Sequence, residues 1–290
     1  MKKSRILVWA LCIGSLMACS KKDSETEKEV PIDKSANLLS TGDSATEILS
    51  NNKFDKMIVE IAFVTGFKPT QEAMTAFIEF LQKHTFKQQI ELVYKELSSP
   101  GEETLTLQEI ADLETDNRTA YTNGTTIAIY IYFADAPSDD DDDEEGLVTL
   151  GAVYRNTSMI IHENTIRNLA SQSPLISNAA VETATLNHEF GHLFGLVDLG
   201  SPMVNEHEDV DGTNHCDQEG CLMRAELQFG GLTNKNNALA TKDDGQVFST
   251  CSLTGTQVLK MLEQATSKGI SMAPGIDAEC LLDLQANGGK

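Results

Sequence analysis

Residues 188–198 read His188-Glu189-Phe190-Gly191-His192-Leu193-Phe194-Gly195-Leu196-Val197-Asp198. Two histidines four apart on an α-helix leave the same face one turn from each other, where both imidazoles can grip one ion. Glu189 follows the first histidine and projects toward the same ion without being expected to ligate it. The flanks predict the helix: over Asn178 to Leu196, the side chains of Ala180, Ala184, Phe190 and Leu193 supply apolar contact.

That donor set points to metal-assisted hydrolysis. Zinc lowers the pKa of a bound water toward neutrality and polarises a carbonyl, while Glu189 takes the proton of the zinc-bound water and delivers it to the leaving amine. Two histidines leave a third protein ligand to be found and one position open for water. The bland alternative is a helix with two solvated histidines. The longer pattern HExxHxxGxxD, on an amphipathic helix of an exported chain, weighs against it.

Upstream, Lys56 to Val64 is apolar and β-branched and predicts a strand. Pro69-Thr70 opens a helix over Gln71 to His84, with Ala73, Met74, Phe77, Ile78 and Leu81 on one face. Gln88 to Tyr94 predicts a strand, Thr106 to Thr115 a helix, and Thr125 to Phe133 a strong strand after the Asn123-Gly124 turn. Leu147 to Tyr154 and Ser158 to His162 predict two short strands. After Leu196 regularity fails until a final helix over Thr254 to Ala265. The expected fold class is α/β (α+β): a mixed sheet with a long helix beneath it, then a loop-rich C-terminal half ending in a helix.

The first 18 residues are a targeting segment. Lys2, Lys3 and Arg5 precede an apolar run, Ile6 to Met17, too short to span a bilayer comfortably. The run ends in Leu16-Met17-Ala18-Cys19, which resembles a bacterial lipoprotein signal. That resemblance implies that Cys19 is lipidated and anchors the chain to a membrane of the cell envelope, the outer membrane, facing the periplasm or the surface. The alternative is an ordinary secretory signal with an incidental cysteine. Residues 19–52 are polar and read as a flexible tether, and residues 53–290 as the catalytic domain.

With 44 acidic against 22 basic residues the chain carries −22, which repels nucleic acid and anionic lipid and excludes both as partners. The expected partner is a peptide or protein substrate, and a monomer is assumed. Asp139 to Glu145 is a run of seven acids. Calcium is one reading of it, but the run lacks the spaced ligands and glycine turn of a calcium loop, and a solvated loop is the simpler one.

Apart from Cys12 in the signal and Cys19, four cysteines remain: Cys216, Cys221, Cys251 and Cys280. An even number in an exported chain suggests disulfides, with Cys216–Cys221 and Cys251–Cys280 the favoured pairing. A metal site built from the same thiols is the alternative.

The motif HExxHxxGxxD resembles that of the metzincin clan of metallopeptidases, whose last position is His or, in snapalysin-like members, Asp. Gly195 matches the family glycine: the helix must stop there and the chain reverse, which glycine's left-handed backbone permits. The resemblance makes Asp198 the third zinc ligand and Met223, in Cys221-Leu222-Met223, the residue of a Met-turn packed beneath the ion. A second resemblance competes. His215-Cys216-x4-Cys221-x-Met223 is similar to a stretch that archaemetzincins carry directly after their motif, where the histidine before the first cysteine is the third ligand. Here residues 199–214 are inserted, and they contain His207. Position favours Asp198, slightly ahead; imidazole chemistry favours His215. Archaemetzincins also carry a later CxxC for a second zinc. Isolated Cys251 and Cys280 depart from that, which argues for a Cys216–Cys221 disulfide instead. The resemblance implies a zinc endopeptidase that takes an extended peptide along an edge strand within Leu147 to Tyr154. The competing function is a non-catalytic, zinc-stabilised binding module of the cell envelope, with a closed four-ligand ion.

Overall fold

β1 (Lys56–Val64) is buried on both faces along nearly its whole length, as an inner strand of a parallel sheet must be. A computed structural model describes residues 32–142, 147–224, 253–254 and 274–290. β1 pairs in parallel with β2 (Gln89–Leu97) on one side and β3 (Thr126–Phe133) on the other. β3 pairs in parallel with β6 (Ser158–Ile161), and β5 (Gly151–Arg155) lies antiparallel on β6. The sheet order is β2-β1-β3-β6-β5, so β2 and β5 are its edges. The fold class is the expected one, a mixed α/β sheet, mostly parallel.

Side chains alternate across this sheet. Val59, Ile61, Ile129, Ile131 and Met159 face one side, where α2 (Gln71–His84) and α5 (Asn178–Leu193) pack. Ala62, Tyr130, Tyr132 and Ile160 face the other, where Ile110 and Ala111 of α3 (Leu107–Asn117) lie. α2, α3 and α5 each start where a side-chain cap predicts. The Thr70 side chain accepts from Ala73 N, Thr106 and Glu109 form a capping box, and Ser177 accepts from Ala180 N.

Among the described residues three α-helices were not foreseen in the sequence, the short α1 (Ala45–Leu49) and two that follow the sheet. α4 (Glu163–Ala170) follows β6 directly and packs against α5. It carries Glu163, fully buried, to face Glu182 of α5. Glu182 Oε2 accepts from Thr70 N at 2.9 Å and from Thr70 Oγ1, while Arg167 Nε donates to Glu163 Oε1 at 2.6 Å. Burial, and after it the Glu182 charge, pushes Glu163 up to about 8. The C-terminal helix α6 (Ala278–Ala286) is capped by Asp277 and brings Cys280 and Leu284 into the core. The helix expected over Thr254 to Ala265 falls almost wholly outside the described residues. Leu253–Thr254 itself is a short strand, β9, antiparallel to β4 (Leu147–Val148).

The packed body begins at Asp33, some twenty residues before Lys53. Ile48 and Leu49, in α1 (Ala45–Leu49), are fully buried. Asn37 Nδ2 donates to Ala128 O at 3.0 Å, and Lys87 Nζ donates to the carbonyls of Glu47, Ser50 and Phe54. The polar composition of residues 33–52 serves hydrogen bonds to the sheet, which a composition-based reading takes for solvation. Residues 1–31, with the targeting segment and Cys19, lie outside the described residues. Among the described residues no helix is long and apolar enough to cross a membrane.

Candidate metal centre

α5 presents His188, Glu189 and His192 fully buried. Its end is set by Gly195, at φ 72°, where a Cβ would lie 2.8 Å from both Ala45 Cβ and Ser201 N. Only glycine fits that approach. The chain does reverse there, through left-handed Val197 and Asp198.

The reversal does not return Asp198 to the imidazoles. Asp198 is exposed at the turn. Residues 199–214, expected as an insertion outside the site, run instead into a hairpin of β7 (Glu208–Asp209) and β8 (Gly212–Cys216). The end of β8 delivers His215, fully buried, to the pair on the helix. Its ring lies 5.4 Å from that of His188 and 5.0 Å from that of His192, centre to centre. His188, His192 and His215 offer ligand nitrogens all within 4.8 Å of one another. The physical reason is reach: a two-carbon carboxylate at a left-handed surface turn points outward, whereas a strand returning beneath the helix brings an imidazole inward.

The tautomers follow from the partners. His188 Nδ1 lies 2.8 Å from Leu222 O and His215 Nδ1 2.9 Å from Thr213 O. A carbonyl only accepts, so each Nδ1 carries the proton and each Nε2 keeps its lone pair for an ion. His215 Nε2 has no hydrogen-bond partner, and His188 Nε2 and His192 Nε2 are 3.2 Å apart. Two nitrogens at zinc-ligand distance around one tetrahedral centre stand ~3.3 Å apart. The residues therefore fit a zinc ion. Burial, with the neighbouring ring of His215, depresses His188 to about 3; burial also takes His215 to about 4 and His192 well below the usual range. All three are held neutral, the form that binds metal.

Glu189 has no hydrogen-bond partner on either carboxylate oxygen, and burial pushes it up to about 8. Above it lies Gly151, the first residue of β5. A Cβ there would stand 2.9 Å from Glu189 Cγ and 2.9 Å from Thr185 Cγ2. β5, an edge of the sheet among the described residues, thus runs directly over the carboxylate. Below, Met223 is fully buried, and a Cβ on Gly191 would lie 2.1 Å from its Sδ. This contact explains the glycine inside the HEFGH string, which spacing alone left unassigned.

The cysteines do not form the expected Cys216–Cys221 disulfide: Cys216, Cys221 and Cys280 are free and buried. Cys251 lies outside the described residues. Instead, Cys216, Cys221, Cys280 and Asp277 form a second group whose donor atoms lie within 4.8 Å of one another. Cys221 Sγ is 3.7 Å from Cys280 Sγ and 3.2 Å from Asp277 Oδ1. Thiol hydrogen bonds from Cys221 and Cys280 lower Cys216 below the usual thiol range and raise the two donors. His207 stands behind the thiols, its Nδ1 3.3 Å from Cys216 Sγ and its Nε2 2.8 Å from Asp283 Oδ2. The signal for this group was present in the sequence. Asp277-Ala-Glu-Cys280 has the spacing of a CxxC pair with aspartate in the first place.

A closed four-ligand imidazole site, the arrangement a purely structural role needs, would draw on Asp198 or His207. The first is exposed and the second is engaged with Cys216 and Asp283. Neither group of candidate donors includes the acidic run. In that run Asp141 Oδ1 accepts from Thr149 N at 2.6 Å, residues 143–146 lie outside the described residues, and calcium gains no support.

No protein-family model and no curated protein sequence matches the chain. Among solved structures, an archaemetzincin from Methanopyrus kandleri is similar with a TM-score of 0.45 and 13% identity, over 80% of this chain and 96% of that one. Metalloproteinase-II from Bacteroides fragilis is similar with a TM-score of 0.34 and 14% identity, over 66% of this chain and 50% of that one.

Proposed function

We propose that this chain is a zinc-dependent endopeptidase, its metal held by His188, His192 and His215 and its general base Glu189. One observation supports it above the rest: three buried, neutral imidazoles converge on one point beside a buried carboxylate that has no hydrogen-bond partner. When bound, zinc supplies Lewis acidity and lowers the pKa of water toward neutrality. A dication held by the three imidazoles would favour the ionised form of Glu189, and a carboxylate oxygen then takes the proton of the attacking water and passes it to the nitrogen of the departing amine. The carbonyls of Leu222 and Thr213 hold the His188 and His215 rings in the required tautomer, so no ring has to reorient.

The substrate in this reading is an extended peptide along the free edge of β5. Backbone hydrogen bonds from that strand would set the scissile carbonyl over Glu189, and Gly151 leaves the room to do so. A second zinc, structural, belongs to the same proposal. Cys216, Cys221, Cys280 and Asp277 supply four donors and leave no position for water. So does lipid anchoring through Cys19 in the cell envelope, on the strength of the charged, apolar and small-residue-Cys segments of residues 1–19.

Metal analysis of the purified chain, paired with cleavage of an unfolded protein substrate, tests this. Glu189→Ala should retain its zinc and lose cleavage by roughly 10²–10⁴-fold. A Glu189→Ala chain that still cleaves at the wild-type rate would sink the mechanism.

A further inference from the structure

The two donor groups share one short piece of chain. His215 and Cys216 are neighbours at the end of β8. Cys221 precedes Leu222, whose carbonyl orients His188, and Met223, which fills the space under Gly191. Cys216 N donates to Met223 O at 2.7 Å, closing the loop on itself. Between the two cysteines, residues 217–220 are exposed and add nothing to the core. What holds this loop from the far side is α6, through Asp277 and Cys280. One ligand, the orienting carbonyl of a second, and the floor therefore all sit on a loop that the thiol group ties to α6, while the β7–β8 pairing and the Asp217 N to His207 O bond hold its start.

An ion bound by these four donors would cross-link the loop to α6. Without it, residues 215–223 are tied to α6 by thiol contacts of 3.2–3.7 Å and the Leu222 N to Gly275 O bond of 2.8 Å. With it, four donors from two distant segments are fixed to one centre. We infer that a thiophilic divalent cation at Cys216, Cys221, Cys280 and Asp277 sets the zinc affinity of the imidazole site, the two sites being positively coupled. The inference rests on the two-zinc reading above. By linkage the coupling is reciprocal: an ion at either site strengthens the other by the same factor, commonly ~5–150-fold.

The experiment is a zinc titration of the full chain against a chromophoric chelator, with metal stoichiometry read independently. Two variants remove the thiol site from its far side: Cys280→Ala, and Asp277→Asn, which keeps a side chain able to cap α6. Wild type should take up two zinc ions. Each variant should take up one, at the imidazoles, with affinity lowered at least ~10-fold. His192→Ala should weaken the thiol site by the same factor. One zinc bound with unchanged affinity in both variants would overturn the coupling and leave the peptidase reading standing, as would two zinc ions retained in both. A wild-type chain that binds a single zinc at the imidazoles would remove the thiol site and the inference with it. A chain that binds none would overturn both readings.

Discussion

Replacing Gly191 by alanine puts a methyl carbon 2.1 Å from Met223 Sδ and 3.1 Å from its Cε. Carbon and sulfur rest in contact at ~3.5–4.0 Å, so Met223 must retreat by about 1.4 Å or more. It is fully buried, and the retreat is into packed core. Alanine gains about 1 kcal/mol over glycine in a helix, while overpacking costs about 1–3 kcal/mol. Gly191→Ala should therefore lie between neutral and about 2 kcal/mol destabilised. Met223→Ala alone should cost about 2–5 kcal/mol, as for other large-to-small core changes. In the double variant the new methyl occupies part of the vacated volume, and the helix gain is common to both backgrounds and cancels. The two changes should therefore couple favourably by at least ~1 kcal/mol. Equilibrium unfolding of the four chains at one fixed free-zinc concentration measures the cycle. Additivity to within ~0.5 kcal/mol would show that Met223 does not sit against Gly191, and would remove the floor of the site.

Other outcomes follow from the same geometry. His215→Ala should weaken zinc binding at the imidazoles by more than the ~10–100-fold typical of losing an outer-shell partner, while Asp198→Ala should leave it unchanged; competition with a chelator reads both, and the reverse order would restore Asp198 as the ligand. Glu163 titrates near 4.5 when unfolded and near 8 when folded. The unfolded chain thus loses this proton first as pH rises, so the group's contribution to stability falls between about pH 4.5 and about 8 and levels off above. Glu163→Gln should flatten that slope relative to wild type in thermal unfolding across this range, and an identical slope in both chains would show that Glu163 is not the group responsible. Finally, Gly151→Ala should lower cleavage with zinc content intact, because its methyl would press on Glu189 Cγ at 2.9 Å. Wild-type turnover in that variant would show that β5 does not run so close over the base.

Much of the sheet was readable because it obeys local rules. Lys56–Val64 and Gln71–His84 were delimited to the residue by apolar pattern and by the Thr70 cap. The helix carrying His188, Glu189 and His192 was equally plain, although it stops at Leu193 rather than Leu196 because Gly195 turns left-handed. α4 was missed because it starts directly after β6, with no side-chain cap bond to mark it. Residues 33–49 passed for a tether because their partners are remote in the chain, Ala128 and Thr157 for Asn37 and Lys87 for the Glu47 carbonyl.

By itself the sequence determined that two imidazoles share one helical face, since a four-residue spacing and a 3.6-residue period allow nothing else, with a carboxylate next to the first of them. It narrowed the third ligand to Asp198 or His215 and went no further. Only the tertiary structure sets His215, and not Asp198, beside the two imidazoles, because which side chain comes near them depends on where the chain travels after the helix ends. Here it leaves Asp198 on an outer turn and returns through β8. The same fold settled the cysteines. Cys216 and Cys221 lie about sixty positions before Cys280 along the chain, yet only 3.7 Å separates the sulfurs of Cys221 and Cys280. Pairing by count foresaw bridges; packing gathered three thiols and Asp277 at one point, a geometry that no spacing rule encodes because it is made by α6 docking against β8 and the Met223 turn.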